Sequence, residues 1–195
     1  MIRVILLFGI TVLAVLGVFG IRPAIGEGGG PLPLTTVGFV DLGRYAGLWY
    51  EIARIPNRFQ RKCLCCTNAR YSLRDDGRID VVNRCIDKKG NPIEARGIAR
   101  VTDTQSNARL KVSFVRILGI SLFWGDYWII GLGENYEYAI VGNPTRTYGW
   151  ILSREPGLSP GKVEQAFSQL RDRGYDPADF EITVQSQGPS PSQER

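Results

Sequence analysis

The sequence predicts an all-β fold carrying one helix, and three observations predict it. Short apolar or β-branched runs recur along the chain, clusters of Gly, Asn, Asp and Pro punctuate them, and a single stretch near the C-terminus has helical period. The runs are 48–55, 67–73, 79–85, 93–101, 110–114, 127–132, 137–142 and 148–153. Several alternate polar and apolar residues, as in Leu110-Lys111-Val112-Ser113-Phe114, the signature of a strand with one buried face. Eight strands joined by short turns make an antiparallel meander, either closed as a barrel or folded as a sandwich.

Turn chemistry separates the strands. Asp75-Asp76-Gly77, Lys89-Gly90-Asn91-Pro92, Ser106-Asn107 and Gly142-Asn143-Pro144 supply the residues that reverse a chain without strain. The helix starts at Ser159 as N-cap with Pro160 in the first turn, where no N–H is needed. Val163, Ala166, Phe167 and Leu170 then form one apolar stripe, and Gly174 supplies the left-handed C-terminal residue. A short strand over 180–184 would return the chain to the sheet.

The ends have a different character. Residues 1–26 start with Met1-Ile2-Arg3, continue as an apolar run over 4–21 and finish Ala24-Ile25-Gly26. This leader reads as a secretory signal cleaved after Gly26, or, given the length of the run, as an uncleaved membrane anchor. Either reading exports the domain to a periplasmic, secreted or membrane-anchored position in an oxidising compartment. No cysteine lies near Gly26 to accept a lipid. Residues 27–38 form a Gly/Pro linker, and 186–195 a polar tail expected to be disordered.

Composition excludes much chemistry. The 195 residues include no histidine, which removes Ser-His-Asp and Cys-His catalysis and every His-ligated metal site. The formal charge is +5. The leader holds Arg3 and Arg22 and no acid, so 22 basic and 19 acidic residues remain, a net +3 that is no nucleic-acid footprint.

Three short motifs then become specific. Gly47-Leu48-Trp49, within 41–54, resembles the G-x-W signature that opens the lipocalin family. Gly125-Asp126-Tyr127 resembles its second motif, and Trp150-Ile151-Leu152-Ser153-Arg154 its third. Tyr71-Ser72-Leu73-Arg74-Asp75-Asp76-Gly77, Tyr127-Trp128-Ile129 and Glu134-Asn135-Tyr136 are similar to the bacterial lipocalin and apolipoprotein D-like branch. The resemblance covers 39–185 and implies an eight-stranded antiparallel up-and-down β-barrel with the C-terminal helix packed outside. Strand counting agrees. In a closed meander the first and eighth strands are antiparallel neighbours, so Trp49 and Arg154 meet at one end. A guanidinium over the indole there makes Gly47, Trp49 and Arg154 a structural plug, with Asp126 and Tyr127 as further signature residues.

The resemblance also implies function. An eight-stranded barrel encloses room for one small ligand, and members of the family bind apolar molecules there. The chain is expected to carry or store a small hydrophobic ligand such as a fatty acid, a lysophospholipid or a similar lipid. Tyr71, Asn83 and Trp150 stand where pocket-lining residues occur in the apolipoprotein D-like branch. No catalytic residue, cofactor, metal or nucleic-acid partner is expected. A rival reading is a lipocalin-like enzyme with a cavity-mouth cysteine as nucleophile, activated by Arg58 or Arg61. A four-cysteine zinc module is a weaker rival, because C-x-C-C is poor spacing for two chelating turns.

The cysteines depart from the branch. Cys66 sits where apolipoprotein D-like proteins have a cysteine bridged to the C-terminal tail, yet no cysteine follows Cys85. Four cysteines allow three pairings, and joining the adjacent Cys65 and Cys66 demands a strained ring. If Tyr71 and Asn83 both point inward, Cys65 and Cys85 share that face. The expected bridges are therefore Cys65–Cys85 and Cys63–Cys66, unless a bulge reverses the parity.

One loop is too apolar. With Trp49 at the closed end, segment 115–124 lies at the open end, yet it carries Ile117, Leu118, Ile120, Leu122, Phe123 and Trp124. Arg116 and, on the first open-end loop, Arg58, Arg61 and Lys62 place positive charge beside it. Leu118, Phe123 and Trp124 form either a lid over the ligand or a tip that docks on an anionic membrane surface.

Overall fold

A computed structural model describes residues 32–185. The leader at 1–26, the linker up to residue 31 and the tail at 186–195 lie outside the described residues. Helix α1 (Leu42–Tyr45) precedes the strands β1 (Gly47–Arg54), β2 (Cys63–Leu73), β3 (Ile79–Asp87), β4 (Pro92–Val101) and β5 (Arg109–Ser113). A hairpin follows, β6 (Val115–Ile117) and β7 (Ile120–Leu122), and then β8 (Gly125–Leu132), β9 (Tyr138–Gly142) and β10 (Gly149–Ser153). Helix α2 (Pro160–Asp172), a 3₁₀ turn (Pro177–Asp179) and β11 (Glu181–Ile182) complete the chain.

Strands β1 to β5 and β8 to β10 pair antiparallel in sequence order, and β10 closes on β1 through Tyr50↔Ser153 and Arg54↔Trp150. This is the closed eight-stranded barrel. Closure removes the unpaired edges that an open sheet would expose. The two faces of the wall bury separate cores. Trp49, Tyr71, Val81, Leu110, Ile129, Val141 and Leu152 point inward. Ile52, Tyr138, Ile140 and Ile151 point outward under Ala166 and Leu170 of α2. Fully burying one such aliphatic side chain contributes roughly 1.5–3 kcal/mol.

Helix α2 begins where the sequence places it, although the Ser159 side chain makes no capping bond. Pro160 supplies the helical φ instead. Of the expected stripe, Ala166 and Leu170 are buried and Phe167 packs at the edge, whereas Val163 stays half-buried outside the cluster. Gly174 adopts φ +76° at the C-terminal end. The linker is not featureless, for Leu34 is 5% exposed beneath α2 and the Val37 amide donates to the Ile129 carbonyl at 3.0 Å.

The disulfide differs from expectation. Cys63 bridges Cys85, with Cα atoms 5.6 Å apart, and neither Cys65–Cys85 nor Cys63–Cys66 forms. Tyr71 does pair with Val81 and Ala69 with Asn83, so both expected pocket positions face inward. Toward the open end β2 carries two register shifts, one between Cys65 and Asn68 and one between Cys63 and Cys65. Cys66 takes φ 63° at the first. Each bulge adds a residue to β2 against β3 and inverts the face that follows. The two inversions cancel at Cys63, which regains the Tyr71 face and meets Cys85, whereas Cys65, between them, is turned to the other face. The expectation also assumed that all four thiols are oxidised.

Candidate functional site

The barrel is closed at one end by the plug. Gly47 has φ +100°, a conformation that a side chain would strain, and a Cβ there would stand 3.3 Å from an Arg154 guanidinium nitrogen. The Arg154 guanidinium lies 3.8 Å from the Trp49 ring centroid. It donates to the Leu48 carbonyl at 2.9 Å and to the Arg44 carbonyl. The Trp49 indole donates to the Tyr45 carbonyl at 2.7 Å, and Trp49 is fully buried. Desolvation lowers the Arg154 pKa from its usual value. Asp126, by contrast, sits outside and pairs with Lys111 at 3.0 Å.

Arg154→Ala is expected to cost about 1–3 kcal/mol, since it strips a cation–π contact and leaves carbonyls without their donor. A urea titration with and without a bound fluorescent probe checks it. Collapse of probe affinity with stability intact would move Arg154 out of the plug and into the binding site.

Above the plug, three phenols form the floor. The Tyr127 hydroxyl lies 2.8 Å from that of Tyr45 and 2.9 Å from that of Tyr71. Burial pushes all three pKa values up, Tyr71 to about 12, so the groups stay neutral phenols. Tyr127, expected only as a signature residue, is thus part of the inner wall.

The upper wall is more open. Register places Asn83, Ala95, Gly97 and Val112 on the inward face with Val81 and Ala99. Asn83, Gly97 and Val112 keep partial exposure on that face, and Ala95, where β4 pairs only with β3, is exposed. Small side chains at Ala69, Ala95 and Ala99 leave the width. At Gly97 a Cβ would meet the Phe114 ring at 2.7 Å, so the glycine lets that ring lie against the wall. Trp150 also faces inward, with its ring stacked on Tyr148 at a centroid distance of 6.0 Å. Tyr71, Asn83 and Trp150 therefore share one interior, Tyr71 at the floor and the other two above it.

A polar cluster that sequence reasoning missed lies beside Trp150. Glu51, 2% exposed, accepts from Arg54 at 2.9 Å, Thr183 at 2.6 Å and Gln60 at 2.5 Å. The Trp150 indole donates to Gln60 at 3.1 Å. Glu51 opposes the inward Leu152, and Arg54 opposes Trp150 across a register shift between Glu51 and Ala53. The Gln185 side chain ties the C-terminal segment to the Glu51 and Thr67 carbonyls, and the Cys66 amide donates to the Val184 carbonyl at 2.8 Å. Glu51 was legible as the second residue after an inward Trp49. Arg54 was not, because a bulge turns it inward.

The cysteine and metal readings gain no support. A hydrogen bond to Cys66, reinforced by desolvation, raises the Cys65 pKa, the opposite of what a thiolate nucleophile needs. Among the described residues no group of three potential ligands gathers to hold a metal.

At the open end β6 and β7 project as a hairpin where the sequence suggested a loop. Leu118 and Gly119 at its tip both have positive φ, as a two-residue turn between twisted strands requires. Leu118 is 97% and Phe123 81% exposed. Trp124 is not, for its ring lies under the Arg100 guanidinium, 4.5 Å from the centroid, and its indole donates to Ser121.

A closed eight-stranded barrel plugged at one end by an Arg–Trp stack, with Tyr71, Asn83 and Trp150 on its inner face, defines the class of protein. A family model for the lipocalin-like domain matches residues 40–185, and the chain belongs to that family. It is 39% identical over 159 residues to the outer membrane lipoprotein Blc of Escherichia coli K12, covering 81% of this chain and 86% of that one. It is 31% identical over 157 residues to apolipoprotein D of Mus musculus, with 76% and 79% covered. Among solved structures, insecticyanin from the tobacco hornworm superposes with a TM-score of 0.65 at 20% identity, covering 79% of this chain and 85% of that one.

Proposed function

We propose that the protein binds a small hydrophobic ligand, a fatty acid, lysophospholipid or similar lipid, in the barrel lumen and carries or stores it outside the cytoplasm. The observation that carries this reading is the inner wall itself. It is apolar and tightly filled near the plug, then lined with small residues that keep exposed surface toward the mouth. Removing ligand surface from water drives binding at about 25 cal/mol per Å² of apolar area, and Asn83 and Trp150 offer polar atoms that orient it. Export is supported by the leader-like sequence and by the name of the bacterial relative, an outer membrane lipoprotein. Among the described residues no helix is long and apolar enough to cross a membrane.

The mouth gives the reading a second part. Leu118, Phe123, Ile120 and Ile117 are exposed on the hairpin and Phe59 and Leu64 on the facing loop and strand. Arg58, Arg61 and Lys62 lie on that loop and Arg116 on the hairpin. An apolar tip within a basic rim suits an anionic lipid surface, and the protein docks there while it exchanges ligand.

A naphthalene-sulfonate or fluorescent fatty-acid probe is expected to bind once per chain and quench Trp150. Trp150→Ala should weaken it about tenfold, since the indole contributes area and holds Gln60, while the far-ultraviolet dichroism stays unchanged. Equal affinity for both proteins would place the probe elsewhere and remove the lumen assignment.

A further inference from the structure

We propose that the floor of the barrel is a hydrogen-bonding subsite that selects ligands oxygenated at their buried end, with the phenols of Tyr45, Tyr127 and Tyr71 offering one O–H to an acceptor oxygen. The inference rests on the reading that the lumen holds a small hydrophobic ligand.

The count of hydrogens carries it. Three hydroxyls supply three donors, and they make two hydrogen bonds with one another, Tyr45 to Tyr127 and Tyr127 to Tyr71. Among the described residues no other group bonds to them. Whichever way the bonds run, each consumes one O–H, and one O–H is left over. Trp49, Val81, Leu110 and Leu152 share the apolar core with the phenols, and among the described residues no further acceptor bonds to their hydroxyls. An unsatisfied buried donor is unfavourable, so a ligand oxygen that meets it is favoured.

Position and charge narrow the ligand. From Cys63 at the open end to Tyr71, with the two bulge residues discounted, β2 advances by the six residues that separate their partners Asp87 and Val81, which at strand rise and barrel tilt is about 15 Å. An extended chain of about sixteen carbons exceeds that reach, so its far end arrives at the phenols with its carboxylate at the mouth. Tyr127 keeps partial exposure on the inner wall while Tyr45 is packed beneath, so Tyr127 and Tyr71 face the ligand. The acceptor that fits is neutral, a hydroxyl, ketone or epoxide. A carboxylate there would lose its hydration to uncharged phenols and feel the Glu51 carboxylate, whose field already acts on Tyr71. Arg154, whose charge acts on Tyr45, is committed to the Trp49 face and backbone carbonyls.

The test compares hexadecanoic acid with ω-hydroxyhexadecanoic acid, each displacing a fluorescent probe from the full chain. The wild type is expected to bind the hydroxylated acid as tightly as the plain one, or more tightly. A wholly apolar floor would weaken it about ten- to hundredfold, through the unmatched terminal hydroxyl. The double substitution Tyr71→Phe with Tyr127→Phe keeps the rings and removes the hydroxyls that face the lumen. It should weaken the hydroxylated acid tenfold or more relative to the plain acid, with dichroism confirming the fold. If that variant fails to fold, the wild-type comparison decides alone. Wild-type binding of the hydroxylated acid tenfold or more weaker than that of the plain acid, or the same loss for both acids in the variant, overturns the subsite while the lumen reading stands. Failure of the wild type to bind either acid overturns both.

Discussion

Glu51→Leu is expected to lower stability by about 3–5 kcal/mol, the largest loss from a single side chain in the upper barrel. Glu51 is buried, with a side chain 3% exposed against 15% for Arg54. Its two oxygens collect donors from three separate segments: Arg54 on β1, Gln60 on the mouth loop and Thr183 on the C-terminal segment. Removing the carboxylate leaves the guanidinium in low dielectric without its counter-charge. Arg54 Nε already lacks a hydrogen-bond partner, and the guanidinium would keep only its 3.2 Å bond to Thr183 and a 4.0 Å approach to Glu181, a carboxylate that is 64% exposed and so a weak substitute. The loss is therefore mostly the desolvation of a stranded cation rather than the worth of the pair. Removing both charges, Glu51→Leu with Arg54→Leu, should then be less harmful than Glu51→Leu alone. Urea unfolding of the two variants beside the wild type reads both statements. A single variant within 1 kcal/mol of wild type would mean that water reaches Arg54 and that the cluster is not sealed.

That cluster also shows where a sequence can and cannot be read. Alternation and turn chemistry are local, and they survive folding, so the eight strands and helix α2 were legible from runs and caps. The Trp49–Arg154 stack was legible too, because it needs only the direction of the first and last strands. Face assignments behave differently. They propagate along a strand, and one bulge inverts everything beyond it. Tyr71 and Asn83 lie on the regular part of β2 and β3, so their inward placement holds. Cys65 lies between the two shifts and is turned to the other face, while Cys63, past both, regains the Tyr71 face and takes the bridge. Arg54 lies past the shift in β1, and it turned inward to meet Glu51. Contacts from distant segments leave no local trace at all, which is why Gln60 and Thr183 did not announce themselves. The β6–β7 hairpin did leave one, in the Gly119 that separates Ile117 from Ile120.

Leu118→Asp combined with Phe123→Asp is expected to weaken binding to anionic vesicles a hundredfold or more while leaving soluble-probe affinity intact. Leu118 at 97% and Phe123 at 81% exposure are nearly free of protein contact, so neither can be part of the folded core. Exposed aliphatic and aromatic surface is unfavourable in water, and a tip that carries several such residues is explained by a partner that covers them. Each side chain that enters the acyl boundary gains up to roughly 1.5–3 kcal/mol, and two carboxylates in their place add repulsion from the anionic surface. The basic rim supplies the complementary attraction, about 1 kcal/mol per cation near the surface, and raising the salt concentration should erode that part alone. A lid makes the opposite forecast. There the tip would cover the lumen, and the same substitutions would reduce probe affinity with vesicle binding preserved. The hairpin geometry favours docking, because Trp124 is held beneath Arg100 and bonded to Ser121 while Leu118 points away from every neighbour. Vesicle co-sedimentation at two salt concentrations, paired with probe titration in the absence of lipid, separates the two. Loss of probe affinity with intact co-sedimentation would make the hairpin a lid and end the docking reading.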